Sequence, residues 1–591
     1  MSKYPIYKAL KEGEFRLITI LNVDGLPKCM LENVSLKDTL EYNTLSYSWG
    51  NQSPTAAIVC NGDSFSVTPH LSEAFAPLHS YLGPLRKIWI DAICINQQDN
   101  EEKNIQVRLM RDIYKNAQAV LVWLGNAADD SDMAMDQALE LNEKLSSIAR
   151  PIHFDHLAYH ALNKESDLVW PALGHFYCRS WFERLWVVQE AVLARELVLL
   201  CGSRSIGWEI LTALTTALLQ TGLLHLVMAA QAIRRDRDNG FYTIPYINIL
   251  RMKIAEHGGM DFQALVSGNR CKKCTEPVDR LWSMLGLVHP HVRNEIPDLV
   301  SIDYSEDGRR HFWRPYIALA KRWIEEDSTL MLLSRATSQE KPKELPSWCP
   351  NWASPEEYSI LGSVYSYQAG FRSAEDRLPR VSVIPDSNNI QVRGFDVDEV
   401  ADIVSASWSF SQFPDQQKVL DGAAAKLLEW ESQCVSLSKV TYKQLDAVPE
   451  AHWRTLIGNK IYDEDLTPVG DVSEDYHNML RYLITLRDGT FLDEGVEKKT
   501  ALRLYFSAQQ SACQGRRFFS TRGGRVGLGP AQLKAGDTIC VFYSGGPLYA
   551  LRFKHADKVA ELIGEAYVHG LMNKEAFTAK GRGEDQTFVI C

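Results

Sequence analysis

At 591 residues the chain exceeds what one hydrophobic core can organise, and its length predicts roughly three or four domains. With 45% hydrophobic and 23% charged residues it has the composition of a folded soluble protein, which excludes a disordered or fibrous one. A formal charge of −11 argues against a nucleic-acid backbone as the main partner.

Met1-Ser2-Lys3-Tyr4-Pro5 carries no apolar stretch of the secretory type, and the 12 cysteines are scattered, as free thiols in a reducing compartment would be. Together these point to the cytoplasm. Phe15 to Leu21 reads as an opening strand and Thr44 to Trp49 as a second. Ala57-Ile58-Val59-Cys60 and Phe65-Ser66-Val67-Thr68 flank Asn61-Gly62-Asp63, a strong hairpin signal. Leu71 to Leu82 reads as a helix, and Ile88 to Ile95 as a near-continuous apolar strand. Asp99 with Glu102 has the spacing of a capping box, and Ile105, Leu109, Ile113 and Ala117 then mark one helical face. A third buried strand follows at Ala119. Ser180-Trp181-Phe182-Glu183 has the form of another capping box, opening a helix through Ala194, and Glu196 to Gly202 is a further strand.

Strand, helix, strand, helix, strand is the signature of a parallel α/β sheet. Residues 1–206 are therefore expected to form an α/β domain, with its core at about 40–202. Residues 207–340 read as a mainly helical region. Within them, Ile210 to Ala232 carries no formal charge over a bilayer-spanning length. Thr212, Thr215, Thr216, Gln220, Thr221, His225 and Gln231 would find no partners in lipid, so a buried or interface helix is expected rather than a membrane span. Residues 341–591 read as an α+β region, helical from 415 to 485 and ending in an antiparallel meander or small barrel.

Three apolar runs of the first domain stop in polar or aromatic residues: Ser46 to Gly50, Asp91 to Gln97, and Trp123 to Gly125. Open α/β sheets bind ligands at the carboxyl ends of parallel strands, so these residues are the first candidates for a site. Asp91 caps a turn or binds a ribose hydroxyl. Asn96 and Gln97 present amide donors or close a loop. Trp49 stacks on a base or packs. Glu190 lies four residues after Trp186 on one helix face, among apolar neighbours, where a carboxylate must find donors or stay protonated. It is either chemical or the partner of an arginine such as Arg184 or Arg179. Cys271-Lys272-Lys273-Cys274 has no second pair at zinc spacing, so no metal site is assigned. Gly523 to Gly529 reads as turn chemistry, and there is no P-loop, HExxH or GxSxG.

The series Leu45-Ser46-Tyr47-Ser48-Trp49-Gly50, Trp89 to Gln97, Gln106 to Met110, Ile113-Tyr114, Val122 to Gly125 and Trp181 to Glu190 resembles the fungal heterokaryon-incompatibility (HET) domain. Asp279 to Leu287 is similar to a segment that usually follows that domain, and Gly564 to Gly570 resembles the usual end of such long chains. The resemblance implies a fungal source, a role in nonself recognition with growth arrest or cell death, and action through self-association. The order of elements also looks like a Toll/interleukin-1 receptor (TIR) domain, although the insert from 126 to 179 is longer than a typical TIR connection. In TIR domains that cleave NAD, a glutamate follows the third strand in a Trp-x-x-x-Glu pattern, as Trp186 to Glu190 does here. That resemblance implies NAD as a substrate rather than a prosthetic group, Glu190 as the catalytic residue, and Ser46, Trp49, Asp91, Asn96 and Trp186 as substrate-binding residues. A biosynthetic small-molecule enzyme and a non-catalytic assembly module are the other readings.

Overall fold

A computed structural model describes residues 6–50, 53–83, 85–146, 168–221, 223–229, 240–296, 300–326, 330–336, 341–354, 361, 381–404, 416–444, 446–460, 473–488, 505, 508–553 and 559–591. The chain forms two compact units, Met1–Phe312 and Trp313–Cys591.

Among the described residues of the first unit, nine strands make one sheet: β1 (Glu14–Asn22), β2 (Lys28–Ser35), β3 (Asn43–Tyr47), β4 (Ala56–Cys60), β5 (Asp63–Val67), β6 (Lys87–Trp89), β7 (Val120–Trp123), β8 (Leu197–Cys201) and β9 (Arg204–Gly207). Their order is β5-β4-β2-β1-β6-β3-β7-β8-β9. The expected parallel sheet is its centre, with one further parallel pair, β2 with β4, toward one edge. Strands β6, β3, β7 and β8 run parallel. Antiparallel pairs join β1 to β6 and β2, β4 to β5, and β8 to β9. Strands β2 and β9 have polar, partly exposed sequences that carry little periodic signal. The central strands β3, β7 and β8 are buried along their whole length because both faces are covered. Each fully buried Leu or Val there contributes roughly 1.5–3 kcal/mol.

Local chemistry sets the connections. In the β4–β5 hairpin Asn61 and Gly62 take φ of 54° and 92°, the left-handed pair that a two-residue turn requires. Helix α1 (Pro69–Leu82) is capped by Thr68, whose hydroxyl accepts from the Leu71 N–H, with Pro69 in the first turn. The expected strand Ile88 to Ile95 stops early. After Trp89 the chain winds into one helical turn, α2 (Asp91–Cys94), because the Asp91 carboxylate accepts from the Ala92 N–H at 2.7 Å.

Helix α3 (Asn100–Asn116) is capped by Asp99, but Glu102 does not return to the cap. Its carboxylate instead takes a two-pronged ion pair from buried Arg16, at 2.6 and 2.9 Å, and the Asn96 N–H at 2.7 Å. Helices α4 (Ser131–Ser146) and α5 (Val169–Tyr177) lie before the second motif. There Ser180–Glu183 is a 3-10 turn and not the start of the helix; α6 begins at Trp186 and ends at Leu193. The break between them is a backbone bridge, with Leu185 N–H donating to the Lys273 carbonyl at 2.9 Å and Lys273 N–H to the Glu183 carbonyl at 2.7 Å. Glu183 accordingly serves as the ion-pair partner of Lys273, at 2.6 Å, and not as a cap.

The apolar stretch from Ile210 is two helices, Trp208–Thr221 and Leu224–Ala229; residues 222 and 230–239 lie outside the described set. No described helix is long and apolar enough to cross a membrane.

The second unit is built on β10 (Val381–Val383), β11 (Ile390–Ile403), β12 (Arg516–Thr521), β13 (Val526–Pro530), β14 (Thr538–Phe542), β15 (Leu548–Phe553), β16 (Val559–Val568) and β17 (Gln586–Ile590). The path β11-β12-β13-β16-β15-β14 closes because β14 returns to pair with β11, forming a barrel rather than an open meander. The glycine-rich run expected as a turn is partly strand β13. A Cβ at Gly527 would stand 2.3 Å from the Tyr567 carbonyl oxygen and 2.7 Å from the Phe519 ring, so glycine is what lets these strands close. Helices Gln416–Tyr442, Glu450–Leu456 and Ser473–Asp488 supply Trp430, Leu456 and Met479 to the core that also holds Phe395, Phe518 and Val541. The parts of the expected 415–485 helical stretch at 461–472 lie outside the described residues.

Candidate functional site

The site is assembled where β3 ends in the middle of the sheet. Ser46 is its penultimate residue and lies under α6. Its hydroxyl donates to Glu190 Oε2 and accepts from the Trp181 indole N–H at 2.7 Å. The 3-10 turn thus delivers Trp181 and the helix delivers Glu190 to one hydroxyl, although 144 residues separate Ser46 from Glu190. Glu190 is 3% exposed. Burial pushes its carboxyl up to about 7, against the opposing pull of the Arg184 guanidinium, the Ser46 hydroxyl and the Tyr114 hydroxyl. The nearby Asp91 charge adds to the rise.

Trp49 and Asp91 form the second pair. The Trp49 indole donates to Asp91 Oδ2 at 2.9 Å, and the Gln97 amide donates to the Asp91 carbonyl at 3.0 Å. Burial raises the Asp91 carboxyl, while Arg184, Trp49, the Ala92 N–H and Lys103 oppose the rise. Glu190 and Asp91 each feel the other's surroundings through Arg184, so the two pairs share one electrostatic neighbourhood. Trp49, Asp91, Lys103, Arg184 and Trp186 are half-buried, while Ser46 and Glu190 lie beneath them.

Neither arginine forms an ion pair with Glu190. Arg184 donates to the Tyr47 carbonyl. Arg179 donates to the carbonyls of Leu124, Asn126 and Ala128, at 3.3, 3.0 and 2.8 Å. Asn96 stands apart from both pairs. Its side-chain oxygen accepts from the Gln98 N–H at 3.3 Å, which closes the loop before α3. Trp186 turns to a partner outside the motif region, donating to Asp279 Oδ2 at 3.0 Å. Asp279 Oδ1 accepts from the Tyr304 hydroxyl at 2.7 Å, and Lys103 Nζ sits 4.0 Å from the centre of the Tyr304 ring.

Sequence reasoning did not assign Trp181, Tyr114, Lys103, Asp279 or Tyr304 to the site. Trp181, Tyr114 and Asp279 lie inside the HET-like motifs, so their types were visible while their partners were not. Neither Cys271 nor Cys274 is in a disulfide. The Lys272 amine between them donates to the Phe182 carbonyl at 2.7 Å, so this segment braces the 3-10 turn. Among the described residues no group of three or more His, Cys, Asp or Glu is arranged to hold a metal ion.

The fold and site define a mixed α/β domain with a buried, hydroxyl-bonded glutamate at the centre of its sheet, in a chain that ends in a closed β-barrel. Residues 42–190 match the family described as heterokaryon incompatibility protein (HET), and residues 492–589 match the Het-6 beta-barrel domain. Two segments of the chain are thus similar to a HET domain and to a Het-6 barrel. It is 26% identical to heterokaryon incompatibility protein 6, OR allele, of Neurospora crassa, over 93% of this chain and 91% of that protein. No solved structure matches it.

Proposed function

We propose that this chain is an effector of fungal heterokaryon incompatibility whose HET domain cleaves NAD at the Glu190 site. The incompatibility role is supported by the matched family and by the relative's name, with similarity running through both of the relative's halves. The catalytic role is carried by one observation: a buried carboxyl pushed up to about 7, hydrogen-bonded to Ser46 and not ion-paired. A carboxyl poised near neutral pH between hydroxyl donors suits chemistry that stabilises a developing positive charge. In the proposed reaction the N-glycosidic bond breaks and nicotinamide leaves with the bonding pair. Water adds to the ribose carbon, giving ADP-ribose and a proton. Ionised Glu190 faces the oxocarbenium-like ribose, Asp91 and Ser46 hold ribose hydroxyls, and Trp49 and Trp186 cover rings of the dinucleotide. NAD is thus consumed and is not a resident cofactor. Action in the cytoplasm, self-association through the HET domain and cell death by NAD depletion complete the proposal.

The test is nicotinamide release by the purified full-length protein, dilute and under crowding that promotes assembly. Turnover that disappears in Glu190→Gln, with the fold retained, is the expected result. No turnover in any assembly state, together with undiminished toxicity of Glu190→Gln on expression, leaves Glu190 as part of a packed Ser46–Trp181–Glu190 network in a non-catalytic assembly module.

A further inference from the structure

Among the described residues, two cations beside the site have no direct anionic partner. Asp91 has both oxygens occupied by neutral donors, Trp49 Nε1 at 2.9 Å and the Ala92 N–H at 2.7 Å. Asp279 is the same, with Tyr304 OH at 2.7 Å and Trp186 Nε1 at 3.0 Å. Lys103 and Arg184 both act on the Asp91 charge from separate elements, the first turn of α3 and the bridge before α6. Yet among the described residues neither makes an ion pair. Lys103 lies over the Tyr304 ring, and Arg184 spends one N–H on the Tyr47 carbonyl. Burial already depresses the Lys103 amine, with Asp279, Glu276 and Asp91 opposing.

A half-buried cation is costly unless something neutralises it by contact. Here Asp91 and Asp279 accept from indole, hydroxyl and amide donors, and Glu276 is paired with Arg309 at 3.0 Å, so none of them contacts either cation directly. The two cations stand on opposite flanks of the Trp49–Asp91 and Trp186–Asp279 pairs, Arg184 on the Tyr47 carbonyl and Lys103 on the Tyr304 ring, and keep donor N–H groups for an anion from outside. A guanidinium fork suits phosphate oxygens in pairs, and an ammonium suits them as a point charge.

We infer that Lys103 and Arg184 form a diphosphate subsite beside Asp91, which selects a dinucleotide over an uncharged nucleoside. This rests on the NAD reading, because it takes the ribose end of the ligand to lie at Glu190. It also draws residues 279–304 into ligand binding, since Asp279 and Tyr304 hold Trp186 and Lys103 in place.

The test is calorimetric titration of the full-length protein with ADP-ribose and, in parallel, with adenosine, which has no phosphate. ADP-ribose is expected to bind the wild type more tightly than adenosine, with affinity that falls as salt rises. Lys103→Gln and Arg184→Gln are each expected to weaken ADP-ribose by about tenfold or more, about 1.4 kcal/mol, and to leave adenosine unchanged. Lys103→Arg and Arg184→Lys, which keep the charge should either neutral variant fail to fold, are expected to retain most of the binding. Equal affinity of wild type and neutral variants for ADP-ribose overturns the subsite. So does a parallel loss of both ligands, which marks a merely structural role. If wild type cleaves NAD but binds ADP-ribose no better than adenosine, the subsite falls and the NAD reading stands. If it neither cleaves NAD nor binds ADP-ribose, both fall.

Discussion

Glu190 in the α/β domain and Glu565 in the barrel are both buried glutamates, and their surroundings are opposite in kind. Glu565 is held by Arg516 at 2.7 Å, with the two side chains 1% and 2% exposed, and it also accepts from the Leu361 N–H. Arg516 in turn donates to the Ala512 carbonyl at 2.9 Å. Glu190 has no such lock; its contacts are hydroxyls, and its nearest cation is bonded elsewhere. A buried carboxylate in direct contact with a guanidinium is fixed in one charge state and one place. A buried carboxyl bonded to hydroxyls keeps both charge states within reach at neutral pH, which is what acid–base or charge-stabilising chemistry needs.

The largest expected effect breaks the barrel side of this contrast. Arg516→Ala leaves a buried carboxylate without its cation and should cost about 3–5 kcal/mol, measured by urea unfolding. Arg516→Met combined with Glu565→Leu removes both charges and is expected to recover most of that loss. If the single substitution costs less than about 1 kcal/mol, the pair is not locked and the contrast fails.

Glu190→Gln tests the other side. The folded-state pKa of about 7 lies above the usual 4.5, so the native state holds a proton that the unfolded chain has released. Stability from this group is therefore present below about pH 4.5 and is lost as pH rises through about 7. The Gln variant, which cannot ionise, should match the wild type near pH 5 and exceed it by up to about 3 kcal/mol at pH 8, read from melting curves across pH. In the enzyme, turnover of NAD should rise through the same window as Glu190 ionises. A wild type more stable at pH 8 than the Gln variant would show that Glu190 is held as a structural anion, like Glu565.

The elements of this contrast were unequally legible in the sequence. The strands β1, β3, β4, β5, β7 and β8, and the Asn61-Gly62 turn, follow from local periodicity and turn chemistry. The pairing of Ser46 with Glu190 and of Trp49 with Asp91 joins residues that only motif order placed together. Where the sequence misled, a distant contact had overruled a local signal. Glu102 has capping-box spacing but is drawn to Arg16, 86 residues away. Ser180–Glu183 has helix-start spacing but is held open by Lys273. Closure of the barrel depends on β11 pairing with strands more than a hundred residues later, which no window of sequence reports. The role of Asp279 was hidden for the same reason, since its partner Trp186 lies 93 residues before it.

Trp186→Phe should cost about 2 kcal/mol, because it keeps an aromatic ring but removes the indole N–H and leaves one oxygen of buried Asp279 without its donor. The loss is expected in denaturant unfolding of the full chain, and Asp279→Asn should suppress most of it in a double-mutant cycle. Additive costs would mean that the indole and the carboxylate are not coupled, and that 279–304 does not support the site.

Ser46→Ala makes the finest cut. The Ser46 hydroxyl donates to Glu190 and favours its ionised form, against the dominant effect of burial. Removing it should move the Glu190 titration upward from about 7, by an amount worth about 1.4 kcal/mol, visible by carbon NMR of labelled glutamate or as a displaced limb of the pH–activity curve. The folded state at pH 5, where the carboxyl is protonated, should lose less than it does at pH 8. An unmoved midpoint in Ser46→Ala would mean that the hydroxyl only fills space beside Glu190, and that burial, Arg184, Asp91 and Tyr114 govern its carboxyl.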